Sequence, residues 1–260
     1  MSPAGRDNPY LMPMLRSLPY FRGVLRAVEA YYYQDFELPS PVLDVGAGDG
    51  HFASVTFTQK LDVGLDPWLP SLKEAKQWGA YKGLVAATGA HTPFPDGHFA
   101  SAISNSVLEH IPDIQAVLDE TARVLRPGAP FLFCLPNPAY FTELGVPRLL
   151  PFLRKPYEAW FRRISRVHHA DGPEVWQQRL EQAGFSVERW WHYFSPAAMR
   201  MLDWGHYFGA PSIPPRALTG KWLFSDADWN LALTARIVGR HADTAEDERG
   251  AFSFYVCRRL

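Results

Sequence analysis

Hydrophobic positions along the chain fall into two alternating rhythms. Short runs rich in Val, Ile, Leu and Phe stand at 41–46 (PVLDVG), 61–66 (LDVGLD), 81–88 (YKGLVAAT), 99–105 (FASAISN) and 129–136 (APFLFCLP). Each is short, apolar and bounded by turn residues, so each predicts a strand. Between them, 51–59, 69–79 and 111–128 predict helices. The last is clearest. Ile114, Val117, Leu118, Ala122 and Leu125 share one face, and Pro127-Gly128 stops it. Gly79 closes the helix before it as a good C-cap residue. Strands alternating with helices predict a parallel sheet covered on both faces.

The rhythm starts late and breaks twice. Residues 1–20 carry Pro3, Pro9, Pro13 and Pro19 and predict an arm wrapping the surface. Residues 21–36 place Val24, Val28 and Tyr31 or Tyr32 on one helical face until Pro39 and Pro41 end it. After Pro136 the alternation stops. It returns as a helix at 173–184 and a strand at 185–194, stops again, and ends in a strand at 251–259. The expected organisation is therefore an N-terminal arm and helix (1–40), the first half of an α/β core (41–136) and a basic aromatic insertion (137–172). A core helix and strand (173–194), a second insertion (195–248) and a final core strand (249–260) follow.

Composition narrows the class. A chain of 260 residues that is 47% hydrophobic and 20% charged suits one large α/β domain with a modest cap. A net charge of -1 gives no global attraction to nucleic acid. Cys134 and Cys257 each sit in a predicted strand and read as small core residues of a reducing compartment, not as a disulfide framework or metal site. No basic stretch followed by a long apolar run opens the chain, and no run of ~20 apolar residues occurs, so a cytoplasmic location is expected.

Candidate chemistry begins at 44–50, DVGAGDG, directly after the first strand. Glycines at alternate positions let backbone approach a ligand and tolerate positive φ. Read alone, the segment is also a plain tight turn. Asp66 changes that, because it ends the second strand where a carboxylate can accept both hydroxyls of a ribose. A dinucleotide fingerprint requires glycine where His51 stands. The early Gly50 favours a cofactor with no pyrophosphate to cradle.

At these residues the sequence resembles the class I S-adenosylmethionine-dependent methyltransferases, in the group acting on small molecules, with a finer likeness to bacterial polysaccharide and natural-product members. The matching segments are VLDVGAGDGHFA, VGLDPW, TPFPDGHFASAISNSVLEHIPD and ARVLRPGAPFLF; the likeness covers about 40–135 well and 170–193 loosely. It implies a Rossmann-like fold with a seven-stranded, mostly parallel sheet, an antiparallel last strand, helices on both faces and aromatic-rich cap insertions. It implies S-adenosyl-L-methionine as cofactor, held by 41–136. Asp44 would hold the methionine ammonium, with Gly46, Ala47 and Gly48 passing under the methionine and ribose. Asp66 would bind the ribose hydroxyls, and Pro67 and Trp68 would border the adenine. Thr88, Gly89 and Ala90 would meet the adenine edge, and Asn105 and Ser106 would lie beside the methionine portion. Thr88 stands where relatives often carry an acid, and Ala100 and Ala129 also depart from the common pattern.

A sulfonium methyl is already electrophilic, so the protein mainly supplies position and a dry site. A hydroxyl acceptor needs a base, and histidine suits. His110, His168 and His169 are the candidates, with Asp171 placed to orient one of the pair; each also has a plain reading as a helix-start or loop residue. No metal is expected, since no further ligand cluster supports the pair. The competing classes are a binding protein that keeps only the fold, and a nicotinamide-dependent oxidoreductase. The intact Asp44, Gly46, Gly48 and Asp66 set argues against the first, and His51 against the second.

The insertions address the acceptor. VPRLLPFLRKPYEAWFRRISRVHH (146–169) carries six bases against one acid, with four aromatics interleaved. It reads as a lid for an anionic or aromatic substrate, as a peripheral membrane contact, or as a cap helix with a solvated basic face. The second insertion, with Trp204, Tyr207, Phe208, Trp222 and Trp229, is expected to cover the same mouth or to form the cap's own core. The acceptor is thus a small molecule, glycan or lipid-linked intermediate, methylation at oxygen is favoured, and no nucleic-acid partner is expected. Nothing in the pattern addresses oligomeric state.

Overall fold

A computed structural model describes residues 8–208 and 227–260. The described residues divide into two compact units: residues 36–138, 166–191 and 252–260, and residues 8–35, 139–165, 192–208 and 227–251.

The first unit holds a seven-stranded sheet of β1 (Val42–Val45), β2 (Leu61–Leu65), β3 (Tyr81–Val85), β4 (Ser101–Asn105), β5 (Pro130–Pro136), β6 (Phe185–Tyr193) and β7 (Phe252–Arg259). Their order is β3-β2-β1-β4-β5-β7-β6. The pairs β3–β2, β2–β1, β1–β4 and β4–β5 are parallel, and β7 runs antiparallel to β5. With helices around the sheet, this is the Rossmann-like arrangement that the resemblance implied, and its parallel part is what the alternation predicted. The chain order reverses at β1, which has β2 on one side and β4 on the other. At such a switch point the loops leaving the strands diverge and open a crevice.

The strands form where apolar runs are continuous because the central ones are buried along their length: every residue of β1 and β4, and all but the first of β5. Helix Ile114–Val124 buries Ile114, Val117, Leu118 and Ala122 on the sheet, and Asp113 caps it by accepting from the Ala116 amide. Gly79 takes φ 64° at the C-cap of helix Leu69–Trp78, as its place in the sequence required. Phe133 lies at the centre of the packing, stacked 4.8 Å from Tyr255 and 5.6 Å from Trp176. Cys134 and Cys257 are buried thiols in β5 and β7. No helix among the described residues is long and apolar enough to cross a membrane.

In the second unit, residues 11–17 of the stretch expected to wrap the surface form a helix, Leu11–Ser17, with Leu11, Met14 and Leu15 buried. Pro13 fits because it lies in the first turn, where its missing N–H has no helical partner to lose. Among its described residues the stretch 195–248 carries the α-helices Pro196–Phe208 and Asp228–Val238. Helix Tyr20–Tyr33 begins one residue before the predicted one and ends three before it. In this unit Asp203, fully buried, accepts from the Gly145 and Val146 amides at 2.8 and 3.2 Å and from the Tyr157 hydroxyl. A helix start is thereby capped from a distant element. Trp222 lies outside the described residues.

Phe133→Ala removes a ring with no solvent exposure from the middle of the sheet. It is expected to lower unfolding free energy by about 3–5 kcal/mol in urea denaturation, and a loss below about 1 kcal/mol would place the core elsewhere.

Candidate active site

The bend after β1 is built by three positive-φ glycines, Gly46 (86°), Gly48 (54°) and Gly50 (75°). They serve different ends. A Cβ on Gly46 would stand 2.3 Å from a Val107 methyl, and one on Gly50 would stand 2.9 Å from Ala75. These two are bare because the protein packs against them. A Cβ on Gly48 would meet nothing within 4 Å, so its bare face looks onto open space. The bend is tied down by the Gly46 and Ala47 amides, which donate to the Leu65 carbonyl at 2.8 and 2.9 Å.

Two aspartates flank this face. Asp44, in β1, is buried, and the Tyr81 hydroxyl donates to its Oδ2 at 2.6 Å. Burial pushes its pKa up to about 7; the tyrosine hydrogen bond opposes the rise and the charge of Asp66 adds to it. The two carboxylates are therefore close enough to feel each other. Asp66 accepts from the Gly48 amide at 3.0 Å through Oδ2 and from the Trp68 amide at 2.8 Å through Oδ1. Each oxygen keeps further acceptor capacity. Tyr81 itself is held strongly protonated by burial and by the facing acids.

Other predicted residues arrive from neighbouring strand ends. Pro67 and Trp68 follow β2, with the Trp68 ring 65% exposed. Thr88, Gly89 and Ala90 follow β3; the His91 amide closes a turn on the Thr88 carbonyl at 3.1 Å. A Cβ on Gly89 would come within 3.0 Å of Val117, so glycine lets this loop lie on the helix beneath. Asn105 ends β4 and accepts from the Cys134 thiol at 3.1 Å. Ser106 follows at φ 51°, its amide bound to the Cys134 carbonyl. That kink turns Val107 onto Gly46. All these residues belong to the first unit.

The three histidines are also in this unit but are not equivalent. His110 ends a single 3-10 turn, Leu108–His110. Its Nδ1 lies 3.0 Å from the Arg166 carbonyl, which can only accept, so Nδ1 carries the proton and Nε2 the lone pair. Nε2 is 3.7 Å from Oε1 of Glu109, which is buried. His169 has both ring nitrogens engaged: Nε2 donates to the Ile111 and Pro112 carbonyls, and Nδ1 is 3.5 Å from Asp171, itself paired with Arg179 at 2.7 Å. His168 is exposed, and its amide bonds the Glu109 carbonyl at 2.7 Å. Both amides of the pair converge on Glu109, so 168–169 fasten the loop that carries His110.

The arrangement fits an adenosyl amino acid. It offers a buried carboxylate for a cation, a second carboxylate for a diol, and a bare bend between them. Tyr81 and Val107 were not foreseen. Tyr81 opens β3 and pairs with Leu61; its reach to Asp44 follows from strand register across two neighbours, which has no mark in the sequence.

Residues 43–133 match a family described as a methyltransferase domain. An uncharacterized methyltransferase of Mycobacterium sp. strain JLS is 36% identical over 88 residues, 34% of this chain and 35% of that protein. A protein of Mycolicibacterium smegmatis, named a probable S-adenosylmethionine-dependent methyltransferase, is 27% identical over 203 residues, 78% of this chain and 72% of its own. The chain thus spans about a third of the first relative's length and nearly three quarters of the second's. Geranyl diphosphate C-methyltransferase of Streptomyces coelicolor A3(2), solved with Mg2+, geranyl diphosphate and S-adenosyl-L-homocysteine, superposes with a TM-score of 0.57 at 13% identity, covering 93% of this chain and 82% of that one. At that identity the likeness speaks for the fold alone. Bend, aspartates and sheet order agree with the family match, which places a methyltransferase domain at residues 43–133.

Proposed function

We propose that the chain transfers a methyl group to an oxygen of a small-molecule, glycan or lipid-linked acceptor. The observation that carries this reading is the pair Asp44 and Asp66 on either side of the open face of Gly48. S-adenosylmethionine, when bound, supplies an electrophilic methyl on a sulfonium. Asp44 pairs with its ammonium, and Gly46, Ala47 and Gly48 let it lie against backbone. Asp66 accepts the ribose hydroxyls while its two amide bonds fix the carboxylate plane. Pro67 and Trp68 border the adenine, Thr88, Gly89 and Ala90 meet its edge, and Asn105 and Ser106 lie beside the methionine portion.

His110 is the favoured base of the three. Its tautomer leaves Nε2 able to take a hydroxyl proton, and the buried Glu109 beside it favours the imidazolium that results. His169 and His168 act through it, as positioning residues that hold 109–111.

Three outcomes are expected. Calorimetry of the purified chain detects S-adenosylmethionine binding, and Asp66→Ala weakens it by roughly 10- to 100-fold, the worth of hydrogen bonds to a charged group. No binding by the parent protein would end the proposal. Affinity depends on pH through Asp44. Its folded pKa lies above the usual carboxylate value, so ionising it costs stability as pH rises through about 7, and the cofactor's ammonium offsets that cost. Affinity therefore rises between pH 6 and 8, and Tyr81→Phe, which deletes the bond opposing the rise, moves the midpoint upward. A profile unchanged by Tyr81→Phe would separate the ammonium from Asp44. Finally, with an acceptor that yields S-adenosylhomocysteine, His110→Ala slows turnover by about 100-fold or more at unchanged cofactor affinity. Full activity in that variant would remove the histidine from the chemistry.

A further inference from the structure

Residues 146–165, in the second unit, hold five bases and one acid. Helix Gly145–Leu149 leads through the turn Pro151–Leu153 into helix Arg154–Ser165. Of that last helix only Phe161 is buried, with its ring 5.5 Å from that of Tyr140. At 100° per residue, Pro156, Trp160 and Ile164 recur every fourth position and form a stripe on one flank of the exposed surface. Lys155 and Arg162 occupy the other flank, and Arg163 borders the stripe beside Pro156.

The turn before this helix is apolar and exposed as well. Phe152 is 78% exposed and Leu149 67%, and Leu150, Trp160 and Ile164 are each more than 40% exposed. Leu149 and Phe152, at the tips of adjacent elements, bury little against the fold. Large apolar groups gathered in water mark a contact surface. Arg148, Lys155 and Arg163 have no carboxylate within ion-pair distance among the described residues, whereas Arg154 faces Glu158 at 3.9 Å and Arg162 lies over the Phe141 ring. The bases are therefore not there to balance local acids.

Aliphatic tips flanked by unpaired bases match one environment, the headgroup boundary of an anionic bilayer. There the tips enter the acyl edge and the bases meet lipid phosphates. A nucleic acid would engage the bases and leave Leu149, Leu150 and Phe152 in water. Protein interfaces deplete lysine at their centres. We propose that this face docks peripherally on anionic lipid. The proposal stands independently of the methyl-transfer reading.

The test is co-sedimentation of the full chain with vesicles of phosphatidylcholine alone and of phosphatidylcholine mixed with phosphatidylglycerol. Binding is expected to the mixed vesicles only and to weaken as salt rises. Leu149→Asp with Phe152→Asp should reduce it by roughly ten-fold or more, and so should Lys155→Glu with Arg163→Glu. These side chains are exposed, so thermal melting should stay close to the parent's. Should the aspartate pair misfold, Phe152→Ser alone carries the same readout. Failure to sediment, equal binding to both vesicle types, or variants that bind like the parent would each overturn the proposal. So would salt-sensitive binding to RNA without binding to vesicles.

Discussion

A carboxylate with no water around it has to be compensated, and at Asp44 the protein does this incompletely. One phenolic hydroxyl bonds it, and burial together with the nearby Asp66 keeps its pKa near 7. A group ionised only in part at neutral pH is poorly placed for stability and well placed to receive a cation. The rest of the site is arranged around it. The bend must pass close by without side chains, which sets the glycines. Asp66 must stay oriented while facing another acid, and two backbone amides hold it there. Val107 packs into the space that Gly46 leaves, tying the end of β4 to the same bend.

How far this could be read beforehand depended on whether each contact is local in sequence. The strands β1 to β5 were legible because each is a short run rich in apolar residues and bounded by turn residues. The bend and Asp66 were legible because strand ends locate them. Tyr81 was hidden, since its partner lies two strands away and only register brings them together. Helix Leu11–Ser17 was hidden by its prolines, which suggest a breaker until Pro13 is seen to fall in the first turn. The helices in 195–248 were hidden because they pack within a unit assembled from three distant stretches, so their apolar faces follow no strand–helix alternation. The histidines were visible as candidates. Their difference was not, because it rests on which carbonyl each ring nitrogen meets.

The family match covers 43–133 and ends within β5. That limit has a chemical reason. The cofactor is the same molecule in every member of the class, so the residues that surround it are constrained together. Displacement at a sulfonium asks for position and dryness more than for a fixed set of catalytic groups, so the residues beyond β5 can diverge with the acceptor. In this chain they form helices fastened by their own devices, such as Asp203 capping the start of Gly145–Leu149 and the ring stack of Tyr157 with Phe161. A unit that carries its own buried polar hub and aromatic core can change its exposed residues without disturbing the sheet. The apolar and basic residues of 148–164 are among those exposed ones, where a change of surroundings costs the core nothing.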